Sequence, residues 1–272
     1  LPAPLNKKSG EALPVNVKVA GNLNSFDLTG NAGGTNHFNS RWLLNRKLTL
    51  DRAIWTTDSR TTPPLPEQAG VELNLPPMDG AEWLALFQKG VGQNVDQTAQ
   101  FPQSITLRTP ALTLGGQQWN NLSIVSRPTV NGSKVEAQGR EINGSLTMRD
   151  NAPWQAAIRY LYYNPTFAAS HAQSTSASPL SEATRVDFSG WPDLQLRCAE
   201  CWLWGQKYGR IDGDFAIQGN TLNLSGGLVD TGFGRMTAAG EWVNKPGEQR
   251  TSLKGDIKGN KLDAAANFFG IS

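Results

Sequence analysis

The sequence has little of what a catalytic or metal site is usually built from. In 272 residues there are two histidines, two cysteines and three methionines. A zinc site needs four clustered nitrogen or sulfur ligands, and His37 and His171 are distant from each other and from Cys198 and Cys201. No G-x-S-x-G, H-E-x-x-H or phosphate-binding glycine loop is present. Long apolar runs are absent as well. Nothing approaches ~18 consecutive apolar residues, the length that a helical membrane span requires. Charge of one sign is never concentrated. The 25 Lys and Arg and 23 Asp and Glu are scattered singly for a net charge of +2, which leaves no phosphate-neutralising patch for nucleic acid and no polybasic segment for a membrane surface.

Short alternating segments are what the chain does have. Val15, Val17 and Val19 alternate with polar residues, as do Leu48 and Leu50, and Val71, Leu73 and Leu75. Ile105 and Leu107, Leu112 and Leu114, Ile211, Phe215 and Ile217, and Leu222 and Leu224 follow the same rule. Alternation means strands with one buried and one wet face, the habit of antiparallel sheets. Trp154 to Tyr163 reads as a longer strand with Trp154, Ala156, Ile158, Tyr160 and Tyr162 on one face. Turns are expected at Gly33-Gly34, Gly115-Gly116, Asn131-Gly132, Asn143-Gly144, Gly219-Asn220 and Gly226-Gly227. Asn121, Asn131, Asn143 and Asn223 open Asn-x-Ser sequons, but Asn131-Gly132 and Asn143-Gly144 are first of all turn dipeptides. Helix is expected only at Asp79–Lys89, after Pro76-Pro77, and in a shorter piece from Asp263.

One segment occurs twice. Residues 105–122 (ITLRTPALTLGGQQWNNL) align without a gap on 194–211 (LQLRCAECWLWGQKYGRI), an offset of 194 − 105 = 89. Leu107, Arg108, Leu114, Gly116 and Gln117 are identical to Leu196, Arg197, Leu203, Gly205 and Gln206. Met78-Asp79-Gly80-Ala81 is echoed by Leu262-Asp263-Ala264-Ala265. Diverged repeats predict stacked units with long surfaces. The expected fold is mainly β: an elongated, curved and twisted open antiparallel sheet, groove-like, built from units of ~90 residues with a few short amphipathic helices. About fifteen strands at ~4.8 Å spacing would run ~70 Å along the stack. The expected division is 1–100, 101–164 and 191–272 as β units, the first and last ending in a short helix. Residues 165–190, Ser-rich and aperiodic, form a flexible loop between them. The chain ends just after Phe268-Phe269 without a finishing element, so it is expected to be an internal piece of a longer protein.

Candidate sites are few. Cys198-Ala-Glu-Cys201 lies between the strand-like residues Leu194, Leu196 and Trp202, Trp204, unlike a redox C-x-x-C at a strand-to-helix turn. A structural disulfide is favoured over a free pair. Residues three apart in an extended strand are roughly 10 Å apart, too far to bridge, so the chain must turn at Ala199-Glu200. Asp212-Gly213-Asp214 resembles a calcium-loop fragment without its remaining ligands and reads better as wet-face strand. Nine tryptophans include Trp202 and Trp204, two apart and so expected on one strand face, either as core or as the wall of an apolar groove.

The stretch from Arg197 to Ser272, opening RCAECWLWGQKYGRIDGDF, resembles the AsmA-like proteins of the Gram-negative envelope. The likeness is specific over 191–272, while residues 1–163 share the family's style of amphipathic strands and an aliphatic-Asp-small-Ala step into a helix. It implies a protein anchored in the inner membrane and spanning the periplasm, with a curved sheet whose apolar groove helps phospholipid move towards the outer membrane. It implies no catalytic motif, and no individual residue is carried over from it. On this reading the candidate lipid-binding residues are Val15, Val17, Val19, Leu112, Leu114, Trp202, Trp204, Leu222 and Leu224. Phospholipid acyl chains are the partner, with membranes reached through parts outside this chain. No cofactor, metal or nucleic acid is expected, and the chain is expected to be monomeric and non-enzymatic. The rival readings are a β-rich interaction module with a filled core, which predicts no extractable lipid, and a carbohydrate-active enzyme, which predicts clustered perturbed carboxylates.

Overall fold

The computed structural model describes residues 12, 14–81, 99–100, 104–166, 191–245 and 248–259. Seventeen strands occupy most of them, from β1 (Val15–Gly21) to β17 (Glu248–Gly259). The chain enters a helix at Gly80-Ala81, where the description stops. The rest of the helix expected over Asp79–Lys89, the one expected from Asp263 and most of the 165–190 loop lie outside the described residues. Two compact units are present: Leu1–Thr129 with Val135–Arg140, and Val130–Lys134 with Glu141–Ser272.

In the first unit, β1, β2 (Ser25–Ala32), β3 (Asn36–Asn45) and β4 (Lys47–Thr56) form an antiparallel meander. β5 (Gly70–Asn74) then pairs parallel with β4, and β8 (Ile105–Leu114) pairs parallel with β5. Two-residue strands, β6 (Met78–Asp79) and β7 (Ala99–Gln100), lie alongside β8 and β4. β9 (Gln117–Thr129) returns antiparallel on β8 through Gly115-Gly116. In the second unit, β11 (Ile142–Arg149) pairs antiparallel with β12 (Trp154–Tyr163), and β13 (Leu194–Leu203) pairs parallel with β12. β14 (Gln206–Gln218), β15 (Thr221–Asp230), β16 (Gly234–Lys245) and β17 complete an antiparallel run.

The parallel joints are what alternation alone did not reveal. A parallel neighbour requires a crossover, and residues 164–193 supply the return between β12 and β13. The two copies of the repeat are the same piece of architecture. β8–β9 and β13–β14 each open with a strand laid parallel to its predecessor and turn back through two residues.

Each unit is one layer. Among the described residues, substantial contact between strands occurs only between hydrogen-bonded neighbours, and no sheet face is stacked on another. The buried apolar set is correspondingly small: Ala32, Leu50, Ile54, Leu112 and Leu122 in the first unit, Cys198, Cys201 and Val243 in the second.

Two glycine steps read as turns do something else. Asn143-Gly144 and Gly226-Gly227 lie inside β11 and β15 at register shifts. A Cβ on Gly144 would meet Ile158 Cα at 2.9 Å, and one on Gly227 would meet the Ala238 carbonyl oxygen at 2.5 Å. These glycines let neighbouring backbones approach at β-bulges. Glycine punctuates both turns and bulges, so sequence pattern does not separate them.

The candidate apolar face

Register assigns every strand residue to one side of its sheet, because paired residues share a face. In the second unit Ile211, Gly213, Phe215 and Ile217 of β14 share a face with Leu194, Leu196 and Cys198 of β13. Leu222 pairs with Ile217 and Leu224 with Phe215, and Trp242 and Gly240 extend the row. On the other side Ile158, Ala156 and Trp154 pair with Cys198, Leu196 and Leu194. All of these positions are apolar or glycine. The opposite face holds Arg197, Asp214, Arg210, Asp212, Asp230 and Arg235. There Arg197 pairs with Asp214 at 2.8 Å, and Arg235 with Asp230 at 2.8 Å. Arg210 pairs with Asp212 on its own strand. The Arg235 guanidinium and the Gly232 N–H hold the Asp230 carboxyl below its usual range. The two aspartates of Asp212-Gly213-Asp214 thus lie on the wet face, each against an arginine.

A line of bulges crosses this unit. β12 and β13 are both irregular between the pairs Ile158↔Cys198 and Leu161↔Cys201, and β14 and β15 shift register beside them. The irregularity corrects the face expected for β12. Leu161, not Tyr160 or Tyr162, joins Ile158 on the apolar side, because Arg159 is the extra residue opposite β11. Cys198 and Cys201 sit astride the bulge, joined Sγ to Sγ with Cα atoms 6.1 Å apart. The turn needed at Ala199-Glu200 is therefore this bulge within a continuous strand. Cys198 is 1% exposed, although no second layer of described strands is stacked on its sheet.

The first copy of the repeat has the same feature with different chemistry. Thr109 and Leu112 occupy the positions of Cys198 and Cys201, and the ladder skips Pro110 opposite Asn121. Asn121 adopts φ 50°, a left-handed conformation that asparagine tolerates. Thr109 is buried, and its Oγ1 lies 2.9 Å from the carbonyl oxygens of both Pro76 and Ala111.

The first unit's apolar face carries Val17, Leu28, Phe38, Trp42, Leu50, Trp55, Leu73, Leu107 and Ile124 in register. Phe38 and Trp55 stack with centroids 6.0 Å apart. A shallow concavity of about 300 Å³ opens on this face, lined by Phe38, Trp42, Leu50, Trp55, Val71 and Leu73. Sequence reading passed over β3, where Asn39 and Ser40 dilute the apolar signal. The alternation Phe38, Ser40, Trp42, Leu44 was the clue available.

The candidate residues fall as follows. Val15, Val17 and Val19 lie on the apolar face of fully exposed β1, 56%, 54% and 64% open. Leu112 and Leu114 lie together on β8 beyond the skip at Pro110. Gly80 closes over them, since a Cβ there would stand 3.1 Å from Leu112 Cδ1 and Leu114 Cβ. Leu222 and Leu224 are half-buried on the second unit's apolar face. Trp202 is on the ionic side, where it lies 6.3 Å from Tyr162 and beneath the Lys207 ammonium. The Lys207 ammonium, 2.9 Å away, and the Trp202 indole N–H also hold the Glu200 carboxyl below its usual range. Trp204 does not share a strand face with Trp202, because it occupies the β13–β14 turn at φ 50°.

The geometry of each unit is that of a one-layer β-sheet protein, with an ionic face and an apolar face that no second layer of described strands covers. The sequence profile of the YhdP protein family matches residues 1–272, and the chain belongs to that family. A protein of Escherichia coli strain K12 named intermembrane phospholipid transporter YhdP is 68% identical over 272 residues, all of this chain. The chain spans 22% of that relative's length. No solved structure matches it.

Proposed function

We propose that this chain is a non-enzymatic stretch of apolar track for phospholipid, part of a longer periplasmic protein that passes lipid between the inner and outer membranes. The observation that carries the reading is the mainly apolar face of each unit, on which no second layer of described strands is stacked. The relative's name supports phospholipid as the cargo. A track needs no directional contacts. Each methylene taken out of water contributes ~0.8 kcal/mol wherever it lies on the face. A ten-residue strand such as β13 spans ~33 Å, ample for an acyl chain laid along it. The ionic face serves solubility, since exposed ion pairs contribute only ~0–1 kcal/mol each.

The test is mass spectrometry of an organic extract of the purified chain. Phospholipid in near-stoichiometric amount is expected. A folded chain yielding none would return the reading to a β-rich interaction module.

A further inference from the structure

The two copies of the repeat differ most at the tip of the hairpin. In the first, Gly115 and Gly116 hold φ 64° and 74°, the left-handed pair that a two-residue hairpin turn needs. In the second, Trp204 and Gly205 hold φ 50° and 75°. A bulky residue in the left-handed region costs roughly 1–2 kcal/mol that glycine would not. The side chain kept at this cost leaves more than half of its surface in water, since Trp204 is 59% exposed. The first copy shows that glycine serves the turn. A strained, exposed tryptophan is the pattern of a contact residue, not of a core residue.

Its place says what it touches. Trp204 follows directly on the apolar row Leu194, Leu196, Cys198, Cys201 and Leu203, so it stands where that face ends. Its backbone N–H donates to the Tyr163 carbonyl at 2.7 Å, which sets a second amphipathic ring, Tyr163, at the same strand ends. Indole and phenol rings pair an apolar body with one hydrogen-bonding tip, and they settle where hydrocarbon meets polar groups. Resting on the proposed lipid track, we infer that Trp204 marks the margin where the glycerol-ester region of a bound phospholipid leaves the apolar face, and that it holds that region in place.

The experiment compares wild type with Trp204→Gly and Trp204→Asn, both of which tolerate the left-handed turn. Vesicles of phosphatidylethanolamine and phosphatidylglycerol carry a photoreactive lipid labelled either beside the ester or at the acyl terminus. Both variants are expected to melt at or above the wild-type temperature. Capture of the ester-proximal probe should fall roughly three- to tenfold, the scale of one lost aromatic contact. Terminal-probe capture should stay unchanged. Equal capture of both probes by wild type and variants overturns the inference, and so does an equal fall for both. Wild type capturing neither probe would instead overturn the lipid track on which the inference rests.

Discussion

The two faces of β14 show most clearly how this chain divides its work. Looking one way are Ile211, Gly213, Phe215 and Ile217, and looking the other are Arg210, Asp212 and Asp214. On an ordinary one-sided sheet a second layer would close the apolar side, and dozens of side chains would be lost from solvent. Here the corresponding side chains of β13 to β16 stay largely half-exposed, and full burial on that face falls at the bulge, Cys198 and Cys201, and at glycines such as Gly213 and Gly227. The same period-two pattern that elsewhere makes a core makes a surface when no layer is laid over it. On the proposed reading the difference between the faces is functional, with lipid on one and water on the other.

The largest effect should come from making the faces alike. Leu196→Asp with Phe215→Asp puts charge in the middle of the second unit's apolar row. A charge there must be left unpaired beside hydrocarbon or draw water onto the face. Displacing even two methylenes gives a tenfold effect, so lipid recovered with the chain should fall roughly tenfold or more. Arg197→Ala with Asp214→Ala, on the same strands facing the other way, should leave the lipid yield unchanged. Extraction and mass spectrometry measure both, with circular dichroism confirming the strands.

Next in size is the bulge line. Gly227→Val forces a branched side chain against the Ala238 carbonyl, and the register shift of β15 must reform elsewhere. A loss of about 1–3 kcal/mol in chemical denaturation is expected. At Gly205, where a Cβ would meet nothing within 4 Å, the cost is set by backbone strain alone.

The clasp over the bulge comes third. We expect Cys198 and Cys201 to resist alkylation in unreduced protein. Four residues are enclosed, so reduction should cost at most about 2 kcal/mol through the entropy of the unfolded chain. Cys198→Thr with Cys201→Leu, which rebuilds the first copy's chemistry at the second, should fold and recover part of that loss.

Much of this comparison could be read from the residues. Alternation placed the strands of β14 and β15 and their apolar sides, and the repeat marked β8–β9 and β13–β14 as one device. Sequence failed where local rules conflict with tertiary ones. Leu161 reaches the apolar side of β12 only because Arg159 is bulged out, and Trp204 leaves the strand for a turn that its own propensity disfavours. The parallel joints were hidden because pairing direction depends on where the chain returns, not on side-chain period.

The smallest effect concerns the ionic side. Arg41 holds the Asp27 carboxyl low, chiefly through a side-chain hydrogen bond, and Asp230 and Glu200 are held low by Arg235 and Lys207. A carboxyl whose pKa is lower folded than unfolded stabilises above its unfolded value. That stability goes as pH falls through the folded one, below about pH 4. A shallow, salt-sensitive drop in melting temperature is expected there, and Asp27→Asn should flatten part of it.

The central claim is settled most directly by placing a photo-crosslinking side chain at alternating positions along β15. At Leu222 and Leu224 it should capture phospholipid, and at Asn223 and Ser225 it should capture little or none. The same contrast is expected between Leu112 and Thr113 in the first unit. Equal capture on both sides, or none at Leu222 and Leu224 in folded protein, would contradict the division of the sheet into a lipid face and a water face.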